Sequence, residues 1–275
     1  MVHKWKNEMI EIHQDDVLLE SLKHNYAIWH FIRYQRTANI VNEIDGRHVL
    51  DTGCGIGLQD FLLMNKTVIG IDLNLENVKE AKRVGRLIEP TENAVCSFLV
   101  ADLNFLPFRK TFDIILCTEV LEHLKDDKRA VDALLSLLKD NGFLLLSLPN
   151  SRRLPIGRLF GLTRRRYMHP LHLREYTISD ACKVVKNFCV RIEKIYGIYL
   201  DFPPFIVARA LFKILKTRRP LVPFRYHIYN ELNGLYTRLW LPLERLFYRR
   251  AFYIVLVLRK LPTNERTYLL RNQNS

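Results

Sequence analysis

The chain has 275 residues, of which 48% are hydrophobic, and a formal net charge of +13. This length suits one α/β domain with an elaboration or two small domains, and no run approaches the ~18 uncharged apolar residues of a transmembrane helix. The N-terminus lacks an apolar signal core, and the five cysteines show neither paired nor metal-ligand spacing, so we expect a reducing, cytoplasmic compartment.

The positive charge lies in the C-terminal half of the chain. Residues 1–150 carry 17 Lys and Arg against 22 Asp and Glu, a net charge of −5, whereas residues 151–275 carry 25 against 7, a net charge of +18. This skew favours an anionic partner, and a phosphorylated substrate, a membrane surface and a nucleic acid all remain open.

Residues 1–45 predict helices that precede a sheet. Asp15 or Asp16 is the expected cap of a helix whose apolar residues, between positions 17 and 32, recur at helical spacing. The side chains of Trp29, Tyr34 and Arg36 either pack on the edge of the sheet or line a binding site.

Residues 49–57 predict a buried strand followed by a glycine-rich turn, with a helix from about Leu58. Three glycines in five residues let the backbone turn sharply and approach a ligand closely. A second apolar strand ends in Asp72, 21 residues after Asp51, about where a βαβ nucleotide fold places the acid that binds the ribose hydroxyls. The spacing G-x-G-x-G differs from the G-x-G-x-x-G of dinucleotide enzymes, which disfavours NAD.

Residues 48–150 alternate strand and helix, which predicts a parallel sheet. Asn74 is the expected cap of the helix after the second strand. Further strands are predicted at residues 96–100, 190–195 and 252–258, one strand with its following turn within residues 112–124, and another after the Asn141-Gly142 turn within residues 141–150. Further helices are predicted at residues 130–138 and 179–187.

Four segments resemble the motifs of class I S-adenosylmethionine-dependent methyltransferases, in the family's order. The glycine-rich segment with Asp72 is similar to the first motif, and residues 100–108 to the adenine-contacting segment. Residues 112–124 resemble the fourth strand and its turn, and residues 141–150 the fifth strand. The likeness, to methyltransferases of type 11 and of ubiquinone biosynthesis, covers roughly residues 45–150 and continues more faintly to about 197 and over 251–261.

This resemblance implies an α/β fold with a Rossmann-like seven-stranded sheet, helices on both faces and a helical insertion before the last strand. We expect N-terminal helices over the site at residues 1–45 and a methyltransferase core at residues 46–198 and 251–261. The insertion then occupies residues 199–250, and the tail residues 262–275.

The resemblance also implies S-adenosylmethionine as the cofactor. The turn would face the methionine and ribose portions, Asp72 the ribose hydroxyls, and Asp102 with Leu103 the adenine. The expected cofactor-binding residues are Asp51, Gly53, Cys54, Gly55, Gly57, Asp72, Leu73, Asp102, Leu103 and Cys117.

Glu119, Glu122 and His123 form the motif E-x-x-E-H, which shares one face if the segment is helical. Two carboxylates and an imidazole can hold a hard divalent cation such as Mg²⁺, and the resemblance implies that His172 or His169 completes the set. Without a metal, Glu119 faces the cofactor, His123 packs at the helix start and His172 is the candidate base.

Two basic segments point toward the acceptor. Six arginines lie within residues 152–166, and residues 205–216 and 229–247 predict amphipathic helices, the second of which carries Trp and Tyr. Such helices suit a membrane interface, or alternatively a helical cap on the catalytic domain or on a second subunit.

The predicted activity is methyl transfer to a hydroxyl, or to a carbon, of a small lipid-like or isoprenoid acceptor at the membrane surface. The protein would then be peripheral on the inner face of the membrane. One alternative is an RNA methyltransferase whose basic half binds phosphates, although nucleic acid is the less favoured partner. A further alternative is a non-catalytic membrane-binding adaptor.

Overall fold

The computed structural model describes residues 28–88, 94–109, 111–154, 171–214 and 222–262, with side chains except at residues 209–214 and 222–225. The predicted caps Asp15 and Asp16, the candidate ligand His169 and four of the six clustered arginines lie outside these ranges.

The centre of the fold is a seven-stranded sheet in the order β3-β2-β1-β4-β5-β7-β6. Strands β1 to β5 are parallel to one another, and β7 runs antiparallel to both β5 and β6. The predicted fold class is confirmed. The strands are β1 His48–Thr52, β2 Thr67–Asp72, β3 Val95–Val100, β4 Phe112–Thr118, β5 Leu138–Pro149, β6 Val190–Ile198 and β7 Tyr253–Lys260.

Helices cover both faces of this sheet. Helices α1 and α2 bury apolar side chains in one core, and α3 and α4 in the other. Asn74 caps α2 as predicted, because its side chain accepts a hydrogen bond from the Glu76 amide. The helices are α1 Ile28–Asn42, α2 Leu75–Val84, α3 Asp127–Leu137, α4 Ile178–Val185, α5 Pro203–Ile214, α6 Val222–Leu235 and α7 Leu241–Leu246.

The α-helix predicted from Leu58 is wrong, because only a 3-10 turn, Asp60–Leu62, lies between β1 and β2. The first part of this connection is used to dock the glycine turn on β2, where the Gly53 and Cys54 amides both donate to the Ile71 carbonyl. The chain must then return over the length of a strand, about 16 Å. Nine residues in an α-helix would span only about 13 Å, which is too short. The 3-10 turn ends at Leu63, which has an extended backbone.

The insertion before β7 folds onto the sheet rather than standing apart from it. The single helix predicted over residues 229–247 is interrupted: α6 passes into a π-helical turn, Tyr236–Trp240, and then into α7. The buried carboxylate of Glu244 in α7 accepts hydrogen bonds from the Tyr199 amide at 2.8 Å and from the Tyr236 hydroxyl. It also lies 3.5 Å from Arg36 Nε of α1, so one acid joins the insertion, the end of β6 and α1.

Candidate functional site

The site lies at the carboxyl ends of β1, β4 and β5, where the strand order changes direction beside β1. The turn after β1 needs glycine, since Gly53, Gly55 and Gly57 have φ of 71°, 56° and 74°. A Cβ on Gly53 would overlap Val120, and one on Gly57 would lie 2.6 Å from the Phe98 ring, whereas Gly55 faces open space. The turn is therefore packed from below and open on the side where a ligand would lie.

Asp72 lies at the end of β2, next to this turn, as predicted. Its Oδ2 accepts a hydrogen bond from the Gly55 amide at 2.9 Å, and its Oδ1 accepts from the Asn74 amide at 2.8 Å and from Asn77 Nδ2 at 3.2 Å. The carboxylate thus holds the turn in place.

The outer edge of the cleft is apolar. After β3, Asp102 accepts two hydrogen bonds of 2.8 Å from the amide and side chain of Asn104. Leu73 and Phe105 are 71% and 78% exposed, so both side chains are free to contact a planar group. Phe105 lies in the segment that resembles the adenine-contacting motif but was not named among the expected cofactor residues. The predicted contact Leu103 buries its side chain in the core.

Two of the predicted cofactor residues, Cys54 in the turn and Cys117 in β4, are neutral thiols. Cys117 is fully buried at the end of β4, and burial raises the pKa of its thiol to about 12. Burial likewise raises the pKa of the half-buried Cys54 thiol. Both cysteines remain protonated near pH 7 and provide packing surface rather than a nucleophile.

Arg33 of α1 is a site residue that the sequence reasoning missed. Its side chain is buried, with the guanidinium carbon 4.8 Å from the Tyr34 ring centre and 5.4 Å from that of Tyr253. Among the described residues, neither its Nε nor its Nη1 has a hydrogen-bond partner. Its charge acts on Asp51 on one side and on Glu119 on the other, which places a cation between the glycine turn and the end of β4. The only sequence signal was an Arg one helical turn after Trp29.

Glu119 directly follows β4 and has a strained backbone conformation with φ of 58°. Ser147 of β5 contacts both the backbone and the side chain of Glu119. The Glu119 amide donates to the Ser147 carbonyl at 2.9 Å, and the Ser147 hydroxyl donates to Glu119 Oε1 at 2.8 Å. Burial raises the pKa of this carboxyl above its usual value, against the lowering effect of Arg33. A carboxyl group is thereby fixed at the strand end that faces the cleft.

Glu122, His123 and His172 meet just beyond, with ligand atoms all within 4.8 Å of one another. The segment is a 3-10 turn, Leu121–His123, not the α-helical turn that was considered, and Glu119 lies outside this closest group. Of the four predicted metal ligands, the structure thus brings three together.

Backbone contacts fix the geometry of this cluster. His123 Nδ1 lies 3.0 Å from the Leu171 carbonyl and must donate to it, which leaves Nε2 as an acceptor or ligand. The Leu173 amide donates to the Glu122 carbonyl at 2.8 Å, which holds His172 against the turn. Burial, and secondarily Glu119, raises the pKa of Glu122 to about 9, so this carboxyl is protonated at neutral pH unless a cation is nearby.

A cavity of about 400 Å³ opens beside Glu119. Its polar side chains include His123, His172, Asp201 and the ion pair between Arg153 and Glu175, whose N–O distance is 2.8 Å. Much of the remaining lining is aromatic and comes from α1, α5, β7 and the segments next to them. These side chains are Trp29, Tyr199, Phe205, Ile206, Phe252 and Tyr253.

Comparison with known proteins agrees with this architecture. A family model described as a methyltransferase domain matches residues 50–146. The ubiquinone biosynthesis O-methyltransferase of Psychrobacter arcticus is 31% identical over 154 residues, which are 55% of this chain and 58% of that protein. The chain spans about half the length of the curated relatives it matches.

Solved structures share the fold at low identity. Magnesium protoporphyrin IX methyltransferase from Synechocystis with bound SAH has a TM-score of 0.51 at 16% identity, covering 84% of each chain. The [4+2]-cyclase SpnF has a TM-score of 0.55 at 18% identity, covering 84% of this chain and 81% of its own. The resemblance predicted from the four motifs is confirmed, and the cyclase illustrates that the fold by itself does not specify the reaction.

Proposed function

We propose that the chain is an S-adenosylmethionine-dependent methyltransferase that methylates a hydroxyl, or a carbon, of a small lipid-like or isoprenoid acceptor at the membrane surface. The observation that carries this proposal is the cavity of about 400 Å³ beside Glu119, at the same sheet edge as the glycine turn. The sulfonium methyl of the cofactor is already activated, so the protein must chiefly align donor and acceptor.

The described residues fit the cofactor. The open space above Gly55 would receive the methionine and ribose portions of the cofactor. Asp72 would accept hydrogen bonds from the ribose hydroxyls. The exposed Leu73 and Phe105 would flank the adenine. The methionine portion carries a carboxylate, which suits the buried guanidinium of Arg33 because two of its nitrogens lack a partner among the described residues.

The acceptor is proposed from the cavity and from the relatives. The aromatic walls suit a planar ring, which would stack or pack edge-on against side chains such as Trp29 and Phe205. The relatives are named ubiquinone biosynthesis O-methyltransferases, and methyl transfer to oxygen in that name supports a hydroxyl as the acceptor group. The polar side chains of the cavity would receive the hydroxyl, and its aromatic side chains the apolar part of the acceptor.

We also propose a divalent cation, with Mg²⁺ as the first candidate, bound by Glu122, His123 and His172 with Glu119 nearby. The chemistry of the donors fits, because both Glu122 oxygens lack a hydrogen-bond partner among the described residues and His123 directs Nε2 toward Glu122. When bound, such an ion lowers the pKa of an acceptor hydroxyl. Without the ion, His172 is the proposed base and Glu119 lies at the cofactor.

Contact with an anionic membrane is proposed from the outer face of the insertion, which we define as Leu239, Arg245, Leu246, Phe247 and Arg249. Leu246 is 70% exposed and Leu239 60% exposed, and Arg245 and Arg249, close to Leu246 in the chain, are also exposed. Apolar and basic side chains side by side suit the interface of an anionic bilayer, where each basic residue would add about 1 kcal/mol. None of the described helices has the length and apolar character required to cross a membrane.

Calorimetric titration tests the cofactor first. We expect micromolar binding of S-adenosylmethionine and none of NAD. Radiolabelled methyl transfer is then measured with a prenylated catechol in phosphatidylglycerol vesicles, with a short RNA as the competing acceptor. Methyl transfer to RNA alone would replace the lipid proposal with RNA methylation, and failure to bind either cofactor would favour the adaptor.

A further inference from the structure

Two carboxyl groups meet beneath the glycine turn. Asp51 is the penultimate residue of β1 and is 2% exposed, and Asp60, in the 3-10 turn, is completely buried. Asp51 pairs with Gly70 between β1 and β2, and a Cβ on Gly70 would lie 3.0 Å from Asp60 Oδ2, so the two carboxyl groups lie on the same face of the sheet and each affects the pKa of the other. Among the described residues, neither oxygen of Asp60 nor Oδ1 of Asp51 has a hydrogen-bond donor. Two carboxyls that share a buried site without another donor must retain a proton between them.

The surroundings of the pair decide which acid keeps the proton. Arg33 of α1 faces Asp51 and favours its ionised form, whereas Asp72 of β2 opposes ionisation. The Cys54 thiol, in the turn, also faces both acids and is neutral. Asp60 is therefore the proton donor and Asp51 the carboxylate.

Asp60 has little freedom to leave this arrangement. A Cβ on Gly70 of β2 would lie 3.0 Å from Asp60 Oδ2, so the carboxyl is packed against the strand where only glycine fits. The neighbouring side chain of Gln59 is 3% exposed, and both of its amide atoms lack a partner among the described residues. Buried polar atoms without partners are rare in folded proteins, and a bound group beside the turn is one explanation for them.

We propose that Asp60 is a positioning residue whose carboxylic acid donates a hydrogen bond to the Asp51 carboxylate, which in turn receives the α-ammonium of the cofactor's methionine portion. This inference rests on the proposed function, since it presupposes a cofactor with an amino-acid portion. The methionine portion carries one positive and one negative charge. Arg33 would pair with its carboxylate, and the ionised Asp51 would pair with its ammonium.

The arrangement makes the affinity depend on pH. Burial raises the pKa of Asp51 to about 7, and burial with the Asp51 charge raises the pKa of Asp60 well above its usual value. The ionised form of Asp51, which binds the ammonium, therefore grows from a small fraction at pH 6 to nearly all at pH 8. Ligands with an ammonium should bind about tenfold more tightly across this range.

The test compares S-adenosylhomocysteine with 5′-methylthioadenosine, which lacks both the ammonium and the carboxylate, by calorimetry between pH 6 and pH 8. For the wild-type chain, we expect the Kd of S-adenosylhomocysteine to fall about tenfold and that of 5′-methylthioadenosine to stay constant. In Asp60→Leu the donor is lost, so the midpoint should move to higher pH and the affinity for S-adenosylhomocysteine at pH 7 should fall. Asp60→Asn keeps an N–H donor and should restore the wild-type profile.

The outcomes separate this inference from the proposed function. A flat pH profile for S-adenosylhomocysteine in the wild-type chain would overturn it without reference to any variant, even if Asp60→Leu does not fold. An unchanged midpoint in a folded Asp60→Leu would also overturn it. If neither ligand binds the wild-type chain at any pH, the proposed function fails instead.

Discussion

The two sides of the site are built differently. The cofactor side, which we define as the glycine turn with Asp72, is closed by contacts over short sequence distances, such as the hydrogen bond from Gly55 to Asp72. The acceptor side, defined as the cavity beside Glu119, takes its walls from positions as distant as Trp29 and Tyr253. Backbone geometry therefore maintains one side and tertiary packing the other, and changes on one side should leave the other intact.

The largest expected effect is on turnover from the acceptor side. Replacing His172 with Asn removes an imidazole that lies 3.7 Å from Glu122 in the cavity, and loss of acid–base or ligand function should lower kcat by about 10²- to 10⁴-fold. The Kd of S-adenosylhomocysteine should stay within about twofold, because the cofactor side is not touched. Radiolabelled methyl transfer and calorimetry measure the two quantities.

His227→Asn is the matched control, since His227 is an exposed histidine of α6. It should change neither quantity. An equal loss of cofactor affinity and turnover in His172→Asn would show that the two sides are coupled.

A pair of glycine substitutions sharpens the comparison on the cofactor side. Gly53→Ala combines a left-handed φ with overlap on Val120 and should destabilise the fold by about 2–4 kcal/mol. Gly55→Ala has the same kind of φ but open space, so it should cost about 1–2 kcal/mol. Urea denaturation measures both, and equal losses would contradict the packing described beneath the turn.

Asp72→Ala should weaken cofactor binding by about 1.5–3 kcal/mol, because charge-assisted contacts to the ribose and the acceptor for the Gly55 amide are lost together. Glu76→Ala is the control, since this acid is exposed and pairs only with Lys79 in the part of the chain that the structure describes. Unchanged affinity in Asp72→Ala, measured by calorimetry, would mean that the carboxylate does not face the cofactor.

On the acceptor side, the buried Glu122 carboxyl should make the free energy of unfolding depend on pH. Its folded pKa, about 9, exceeds the ordinary value, so between these values the folded state binds more protons than the unfolded state. Stability should therefore be highest at low pH and fall as pH rises toward 9, by at most about 1.4 kcal/mol per pH unit. Glu122→Gln should flatten the difference between thermal melts at pH 6 and pH 9 in EDTA. If stability falls with pH as steeply in Glu122→Gln as in the wild type, other titrating groups cause the pH dependence.

The smallest effect on stability is expected at the outer face of the insertion. Leu246→Glu changes a side chain that is 70% exposed and should alter stability by less than about 0.5 kcal/mol. Sedimentation with anionic vesicles should nevertheless decrease. Leu87→Glu, at an exposed leucine remote from the insertion in sequence, is the control and should sediment like the wild type. Equal sedimentation of all three proteins would remove the membrane from the proposal.

The sequence by itself determined the sheet, the glycine turn, Asp72 and the approach of Glu122 to His123, because each depends on residues close together in the chain. Strand periodicity, three glycines and a carboxylate after a strand are local patterns with direct backbone consequences. The resemblance added His172, which its position 49 residues beyond His123 would not have indicated.

Only the tertiary structure decided which side chains complete the site. Arg33, Asp60 and Phe205 read locally as residues of a helix or turn, and nothing in their spacing places them beside Asp51 or Glu119. The same limit explains the wrong helix at Leu58, since the distance back to β2 leaves no room for it. Local sequence determines how a segment folds, whereas burial, shared protons and cavity walls arise from packing between segments that are distant in the chain.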